Sequence, residues 1–287
     1  MSKESCFFTF YTLTPLHAGA GDSAGAIDLP VQRERHTEYP VVYSSGIKGS
    51  LRDYFERQGK PNIDEIFGKE GDDQKDSASG KVIFTDAKIL LFPVRASRGV
   101  FKWVTCPFVI TRLLRDLELA GITGIPLGTL GVLGYNGYVF GSNLNPIILE
   151  DFKIELKTTT SNKSLLVELV KEHFDVKTME ERLIIVSDDV FKTLVTTATQ
   201  IIARNVLKEN KTSENLWYEE VVPADAVFYT MMKSAYKDND AISKLESEIA
   251  GQVLQIGGNE TIGYGMVKWS NDLIPEIAPK KTQGGGK

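Results

Sequence analysis

The sequence has 287 residues, of which 42% are hydrophobic and 25% charged, so it is long enough to bury a substantial core and has the composition of a folded protein. No apolar run approaches the roughly 18 to 20 residues that span a bilayer, and the N-terminus lacks the features of a signal peptide, so we expect a cytoplasmic protein without a membrane partner. The formal net charge of −5 argues against a generally basic nucleic-acid-binding protein, so any such surface must be local.

The N-terminal segment predicts a strand followed by a glycine-rich loop. Residues 6–14 alternate large apolar with small polar side chains, which is the period of a half-buried strand, and the strand should end at Pro15. Small residues then dominate residues 18–26, where three glycines permit backbone conformations closed to other residues. We therefore predict a loop that leads to Asp28.

Helices and strands alternate irregularly through the rest of the chain. A short amphipathic helix with a serine N-cap is predicted over 47–57, and polar residues 60–80 predict an excursion without regular structure. Further strands are predicted over 81–94, 150–156 and 217–231, the last broken at Pro223. Further helices are predicted over 108–119, over 240–253, and from a cap at Ser187 to Leu207.

This arrangement predicts an α+β fold, because the strict strand-helix alternation of a doubly wound sheet is missing. Glycine loops near both ends suit an antiparallel, ferredoxin-like sheet. We expect one domain over residues 1–273, a glycine-rich insertion over 121–141 and a flexible tail over 274–287. Cys6 and Cys106 lack CxxC spacing, so free thiols are expected rather than a zinc site or a disulfide.

Two basic clusters could bind phosphates. Lys48 and Arg52 lie four residues apart near the start of the first helix, where free amides and the helix dipole also favour an anion. Arg95, Arg98 and Lys102 are interleaved with aromatic residues, an arrangement that binds single strands by stacking bases and holding the backbone. An ordinary solvated helix face and a surface turn remain the alternative interpretations.

His17 and Asp28 bracket the first glycine loop and so place an imidazole and a carboxylate at its mouth. Such a carboxylate could bind a magnesium ion that stabilises charge on a phosphate, or help to deprotonate a 2′-hydroxyl for in-line attack. A hydrogen-bonded loop histidine and a turn-forming aspartate before proline are the alternatives.

Two later segments carry polar residues in unusual places. Glu219 and Glu220 lie in an otherwise apolar strand, so one carboxylate should point inward unless this is an edge strand. The second glycine loop could approach a phosphate backbone closely or simply form a tight turn, and its candidates are Gly257, Gly258, Gly263 and Gly265.

Taken together, these segments resemble the RAMP superfamily of CRISPR-associated proteins and, within it, the backbone subunits of type III-B (Cmr) effector complexes. The resemblance runs from about Phe7 to Trp269. The segments that carry it are residues 14–21, 27–36, 43–52, 92–96, 99–107, 216–223 and 257–265.

The resemblance implies a modified RRM-like core with inserted lid and thumb regions. Insertions would fall at about 60–80, 121–141 and 156–184, with the base-displacing thumb in one of the last two. Copies of the subunit would stack head to tail along a CRISPR RNA, together with other Cmr subunits. The helix bearing Lys48 and Arg52 would hold the guide.

The resemblance further implies cleavage of target RNA at regular intervals by a divalent metal, Mg²⁺, with Asp28 as the essential acid and metal ligand. His17 and one of Glu219 and Glu220 would share the pocket. Three alternatives stay open: a scaffold that holds the guide without chemistry, a stand-alone endoribonuclease that processes CRISPR repeats with His17 as base, and a type III-A counterpart.

Overall fold

The computed structural model describes residues 4–69, 77–123, 134–161, 163–237 and 239–271. The elements before residue 120 are, in chain order, β1 (Ser5–Thr12), β2 (Val41–Val42), α1 (Ser44–Arg57), α2 (Ile63–Phe67), β3 (Gly68–Lys69), β4 (Ala78–Ser79), β5 (Val82–Phe84), β6 (Ala87–Arg95), β7 (Phe101–Thr105) and α3 (Pro107–Leu119).

The elements after residue 130 are, in chain order, β8 (Asn136–Val139), β9 (Ile147–Leu149), β10 (Phe152–Thr158), α4 (Lys163–Val170), α5 (Val176–Arg182), β11 (Leu183–Ile185), α6 (Asp188–Thr197), β12 (Gln200–Leu207), β13 (Ser213–Val221), β14 (Val227–Ser234), α7 (Ala241–Ile249), β15 (Val253–Gln255), a 3₁₀ turn (Glu260–Ile262) and β16 (Met266–Ser270).

A four-stranded antiparallel sheet forms the centre of the fold, in the order β16-β1-β14-β6. With α1 between β1 and β6 and α7 between β14 and β16, the order of elements is βαββαβ. This is the ferredoxin-like arrangement, so the predicted α+β, RRM-like core is confirmed.

Aromatic side chains of β1 pack on both faces of this sheet. Phe7 stacks on Tyr229 of β14 with ring centroids 5.4 Å apart, and Phe10 packs against both Phe228 and Trp269. All five rings are at least 99% buried. The strand predicted from alternating residues is thus present, but it is buried on both faces because helices or inserted elements cover each side.

Helix α1 lays Ile47, Leu51 and Phe55 against the sheet, as their spacing predicted. Its predicted serine cap is wrong. The helix begins at Ser44, its N-cap is Tyr43, and no side chain caps it. Instead, the Ser44 amide donates to the Asp86 carboxylate at 2.7 Å, so a residue distant in sequence satisfies this end of the helix.

The sheet continues beyond β6 through β7, β11, β8, β10 and β9. Helix α3 occupies the predicted span, and β10 is shifted two residues from its prediction. Helices α4 and α5 lie in the region 156–184. Of the predicted insertion over 121–141, residues 124–133 lie outside the described residues, as does the predicted tail.

The helix predicted from Ser187 to Leu207 is only half correct. Ser187 does cap α6 by accepting from the Val190 amide, but the helix ends at Thr197 and residues 200–207 form strand β12. The run of β-branched residues at 195–197 is a poor helix former, and pairing of β12 with β13 along their length supplies the competing hydrogen bonds.

The polar segment 60–80 is more regular than predicted. It contains α2 and the short antiparallel pair β3 and β4, while residues 70–76 lie outside the described residues. The strand predicted over 81–94 is divided into β5 and β6. None of the helices within the described residues is both long enough and apolar enough to cross a membrane.

Candidate functional site

The first glycine loop is a hairpin closed by backbone hydrogen bonds. The Ala20 amide donates to the Pro30 carbonyl at 2.9 Å, and Gly19 pairs with Val31. Nearer the tip, the Ser23 amide donates to the carbonyl of Asp28 at 2.8 Å. The conformational freedom predicted for this segment is therefore limited by its own ladder.

Asp28 is held against strand β13 through its side chain. Its Oδ2 accepts a hydrogen bond from the Tyr218 amide at 2.7 Å. The next residue, Leu29, pairs with the same strand, since its amide donates to Tyr218 and its carbonyl accepts from the Glu220 amide. Because side chain and backbone bind the same strand, the carboxylate has a fixed position at the edge of the hairpin.

His17 is 8% exposed, and its ring is locked at one nitrogen. Nδ1 lies 2.7 Å from the Glu220 carbonyl, which can only accept, so Nδ1 is the donor in this hydrogen bond. The His17 carbonyl accepts from the Gly258 amide at 2.9 Å. His17 thus joins both glycine loops to β13, a geometry that favours a role in shaping the site.

Glu219 is the glutamate that faces His17. Its Oε1 is 3.6 Å from His17 Nδ1 and accepts a hydrogen bond from the side chain of Asn259, while its Oε2 accepts from Arg204 Nε at 2.9 Å. The Arg204 guanidinium also lies over the ring of Tyr264, 5.0 Å from its centroid. Glu219 is only 3% exposed, so this carboxylate is buried but paired.

Glu220 points to the other side of β13 and fastens the hairpin instead. Arg33 Nη2 donates to its Oε1 at 2.5 Å, Thr199 donates to the same oxygen at 2.7 Å, and the Val31 amide donates to Oε2 at 3.0 Å. All three of these donors belong to the segment after Asp28 or to the residue just before β12. Glu220 is therefore placed to position Asp28 rather than to react.

The second glycine loop packs tightly against His17. Gly257 has φ +80°, and a Cβ there would lie 2.4 Å from the His17 carbonyl oxygen. A Cβ at Gly265 would lie 1.9 Å from the Ile256 carbonyl oxygen, whereas one at Gly263 would meet nothing within 4 Å. Close backbone packing explains Gly257 and Gly265, and Gly258 supplies the amide that His17 binds.

Lys48 and Arg52 project from α1 into an open groove of about 530 Å³, which β3 and β4 close on the other side. Arg52 also donates to Glu56 at 2.8 Å, one turn along the helix. The groove shares no lining residue with the cluster around His17, so within the described residues this basic face and the hairpin are separate features.

The side chains of the second basic cluster all bind other groups within the protein. Arg95 pairs with Glu150 at 2.5 Å, Arg98 donates to the Asn145 carbonyl, and Lys102 donates to the Glu181 carbonyl at 2.6 Å. Burial, followed by repulsion from Arg182 and Arg98, lowers the pKa of Lys102. Trp103, one of the aromatic residues interleaved with this cluster, is 2% exposed, so the structure favours core packing over base stacking for it.

The sequence prediction missed the hairpin formed by β12 and β13. It is a two-stranded sheet of its own, and several of its large apolar side chains are exposed, namely Ile201, Val206, Leu207, Leu216 and Tyr218. A signal was available in Asn210-Lys211-Thr212, a turn sequence between two segments rich in β-branched and aromatic residues. The helical period assigned to residues 190–201 obscured it.

A preformed metal site is not found among the described residues, where no three His, Cys, Asp or Glu side chains lie close enough to hold an ion. Asp28 would offer one carboxylate. Magnesium commonly binds one or two carboxylates and completes its shell with water and substrate phosphates. The residues present therefore fit an ion bound jointly with the phosphates of a substrate better than an ion bound by the protein alone.

Comparison with known proteins gives a consistent result. A model described as the RAMP superfamily matches residues 9–268. The chain is 41% identical over 278 residues to the Pyrococcus furiosus protein named CRISPR system Cmr endoribonuclease Cmr4, covering 90% of this chain and 92% of that protein.

Solved structures agree with this match. The crystal structure of oligomeric Cmr4 from Pyrococcus furiosus has a TM-score of 0.74 and 34% identity, with 94% of this chain and 98% of that chain covered. A cryo-EM structure of type III-B Cmr-beta bound to cognate target RNA shares the fold, with a TM-score of 0.74 and 20% identity over 93% of this chain and 96% of that chain.

Proposed function

Because this chain belongs to the RAMP superfamily and, within it, to the Cmr4 proteins, we propose that it is the repeating backbone subunit of a type III-B CRISPR effector complex. In that role it binds CRISPR RNA and cleaves complementary target RNA at regular intervals. Its partners are these RNAs, other Cmr subunits and further copies of itself, and it works in the cytoplasm.

The main support for the proposed catalytic activity is that the carboxylate of Asp28 is held in a fixed position. A group that takes a proton from a 2′-hydroxyl must be held within hydrogen-bond reach of that hydroxyl. The hydrogen bond from the Tyr218 amide occupies only Oδ2, and in the described part of the chain Oδ1 makes no hydrogen bond. One oxygen thus positions the carboxylate, and the other remains for RNA or for an ion.

The reaction assigned to this site is in-line attack within the target strand. The 2′-oxygen bonds to phosphorus and loses its proton to Asp28, while the bond from phosphorus to the 5′-oxygen breaks and that oxygen takes a proton from solvent. Bound Mg²⁺ would neutralise charge on the phosphoryl oxygens. His17 and Glu219 hold the second glycine loop in place, through the hydrogen bonds that they accept from Gly258 and Asn259.

The hairpin of β12 and β13 is our candidate for the base-displacing thumb, in place of the regions 121–141 and 156–184 suggested by resemblance. Its exposed apolar side chains suit contact with unstacked bases. It also includes Tyr218, so the element that would displace a base directly contacts Asp28.

The proposal is tested by reconstituting the complex with a guide and a labelled complementary RNA. We expect regularly spaced products in magnesium, and loss of cleavage both in chelator and with Asp28→Asn, by about 10² to 10⁴-fold for the variant. Asp22→Asn, which removes an exposed acid of the same hairpin, is the matched control. Wild-type cleavage by Asp28→Asn with target binding intact would reduce the chain to a guide-holding scaffold.

A further inference from the structure

Five of the eleven residues that line one further pocket are lysine or arginine. It lies between the segment that follows the hairpin, strand β6 and helix α3, and has a volume of about 490 Å³. We call it the arginine pocket and define it by five residues: Arg33, Arg35, Lys88, Arg112 and Arg115. Only two acids, Glu34 and Asp86, join them in lining it. Four acids, counting two just outside the lining, offset most of these five charges, so an anionic ligand would depend on the cations that are not fully paired.

Three of these cations are bound by acids within the protein. The pairs are Arg33 with Glu220, Lys88 with Asp116, and Arg112 with Glu34, at 2.5 to 2.6 Å. Because these side chains are fixed by their acids, they form the wall of the pocket.

Arg35 and Arg115, in contrast, lack a close acid partner of their own. Arg35 is exposed and makes no ion pair within the described ranges. Arg115 is 63% exposed at its side chain and lies 3.3 Å from Asp116, an acid that Lys88 already binds at 2.6 Å. Both guanidinium groups therefore retain donors for an external oxyanion.

Arg112 adds donors at the back of the pocket. It is 94% buried, since only 6% is exposed, and neither its Nε nor its Nη2 makes a hydrogen bond. Buried donors without a partner are uncommon in folded proteins. The Phe108 ring lies over this guanidinium, 5.5 Å from its centroid to Cζ, and it is the side chain that an entering ligand would move.

The rim of the pocket is aromatic. Tyr43 is 41% and Phe108 is 38% exposed, and both line it. Tyr43 also precedes α1, the helix whose next turn presents Lys48 to the neighbouring groove. Aromatic side chains beside guanidinium groups are typical of surfaces that bind single strands.

We infer that the arginine pocket binds a phosphate of single-stranded RNA, with Arg35 and Arg115 contacting its oxygens, Arg112 behind them and the aromatic rim stacking an adjacent base. This inference rests on the proposed function, because the ligand is RNA. It extends the RNA-contacting surface beyond α1 to residues that were not predicted to bind RNA.

The test uses the full chain and a fluorescein-labelled, unstructured single-stranded RNA, with anisotropy measured over a range of salt concentrations. Arg35→Gln/Arg115→Gln removes two exposed charges and leaves the buried pairs intact. Lys233→Gln/Lys237→Gln removes two exposed charges at the far end of β14 and is the matched control.

The arginine variant should raise the apparent Kd about tenfold and flatten the plot of log affinity against log salt by about 0.7, the value for the loss of one phosphate contact. The control should retain the wild-type slope. Equal slopes for the two variants would overturn the pocket alone, as would an arginine variant with normal RNA binding but altered self-association. Failure of the wild-type chain to bind the RNA would overturn the proposed function as well.

Discussion

The Oδ2 atom of Asp28 accepts a hydrogen bond of 2.7 Å from the backbone amide of Tyr218, a residue 190 positions later in the chain. This bond joins the first glycine hairpin to the hairpin of β12 and β13. The candidate catalytic carboxylate and the candidate thumb are therefore structurally coupled, and a substitution in one should alter the position of the other.

Replacing Asp28 should separate its structural role from its chemical role. Asn retains an oxygen that accepts from the Tyr218 amide, whereas Ala leaves that donor unpaired. We expect Asp28→Asn to unfold close to wild type in urea and Asp28→Ala to be about 1 kcal/mol less stable. Both should abolish cleavage. Equal stability of the two variants would mean that the hydrogen bond does not hold the hairpin.

Glu220 should matter for stability more than for chemistry. Glu220→Gln leaves the Arg33 guanidinium, whose side chain is 20% exposed, without its charge partner and weakens the bond to the Val31 amide, so we expect a loss of about 2 kcal/mol in the free energy of unfolding. Glu155→Gln breaks an exposed pair with Lys153 and should cost less than about 0.5 kcal/mol. Urea titration of both variants measures these changes. Similar losses of unfolding free energy in the two variants would show that the pair of Glu220 with Arg33 does not stabilise the hairpin.

The sequence predicted well those features whose cause is local. Residues 47, 51 and 55 bury one helix face because their spacing is intrinsic to the helix, and alternation in β1 identified a strand. The end of α6 was missed because residues 200–207 owe their conformation to pairing with a strand that follows in the chain. The periodicity of residues within one segment carries no information about the strand with which that segment pairs.

The same distinction applies to the site. His17 and Asp28 were singled out by their positions around a glycine loop, but the difference between Glu219 and Glu220 depends on Arg33, Arg204 and Asn259, which approach from separate elements. Arg204 was missed because a single arginine in a predicted helix has no special spacing. Only the folded chain brings its guanidinium to Glu219.

Arg204 should position Glu219 without being needed to bind RNA. Arg204→Lys keeps a positive charge but loses the Nε donor and the flat contact with Tyr264. We expect the single-turnover cleavage rate of the complex to fall about tenfold, or about 1.4 kcal/mol, with target affinity unchanged. Lys208→Gln, on the same hairpin, should cleave normally. A matching fall in affinity would assign Arg204 to RNA binding instead.

His173 should make the fold sensitive to acid. Burial, with repulsion from Lys268, lowers its pKa to about 4, and its Nδ1 makes no hydrogen bond. The unfolded chain, with an ordinary pKa near 6.5, binds the proton first as the pH falls. The contribution of this histidine to the free energy of unfolding is therefore fully present above about pH 6.5. It falls by about 1.36 kcal/mol per pH unit as the pH is lowered to about 4, a total loss of about 3 kcal/mol.

Urea titrations of His173→Gln at several pH values test this. The stability difference between wild type and this variant should change by about 3 kcal/mol between pH 7 and pH 4, since the variant lacks the titrating group. His36→Gln removes an exposed histidine and should follow the wild-type pH dependence. Identical pH dependence of wild type and His173→Gln would show that this imidazole is free to take up a proton in the folded protein.

The two glycines Gly257 and Gly263 allow a paired test of how closely the second loop packs on His17. Both have left-handed φ values, +80° and +83°, so an alanine at either position carries a similar backbone strain of about 1 kcal/mol. Only at Gly257 would the new Cβ also meet backbone, 2.4 Å from the His17 carbonyl oxygen. Gly257→Ala must therefore push the loop away and break the hydrogen bond from Gly258 to His17.

We expect Gly263→Ala to lose only the strain energy, and Gly257→Ala to lose about 2 kcal/mol more in the free energy of unfolding. Cleavage should fall with Gly257→Ala alone, because His17 and the Glu219 cluster then lose their common support. Urea denaturation and single-turnover cleavage of both variants distinguish these effects. Equal free energies of unfolding and equal cleavage rates for the two variants would mean that the loop accommodates a methyl group at Gly257 without loss of stability. They would also mean that the position of His17 does not depend on this loop.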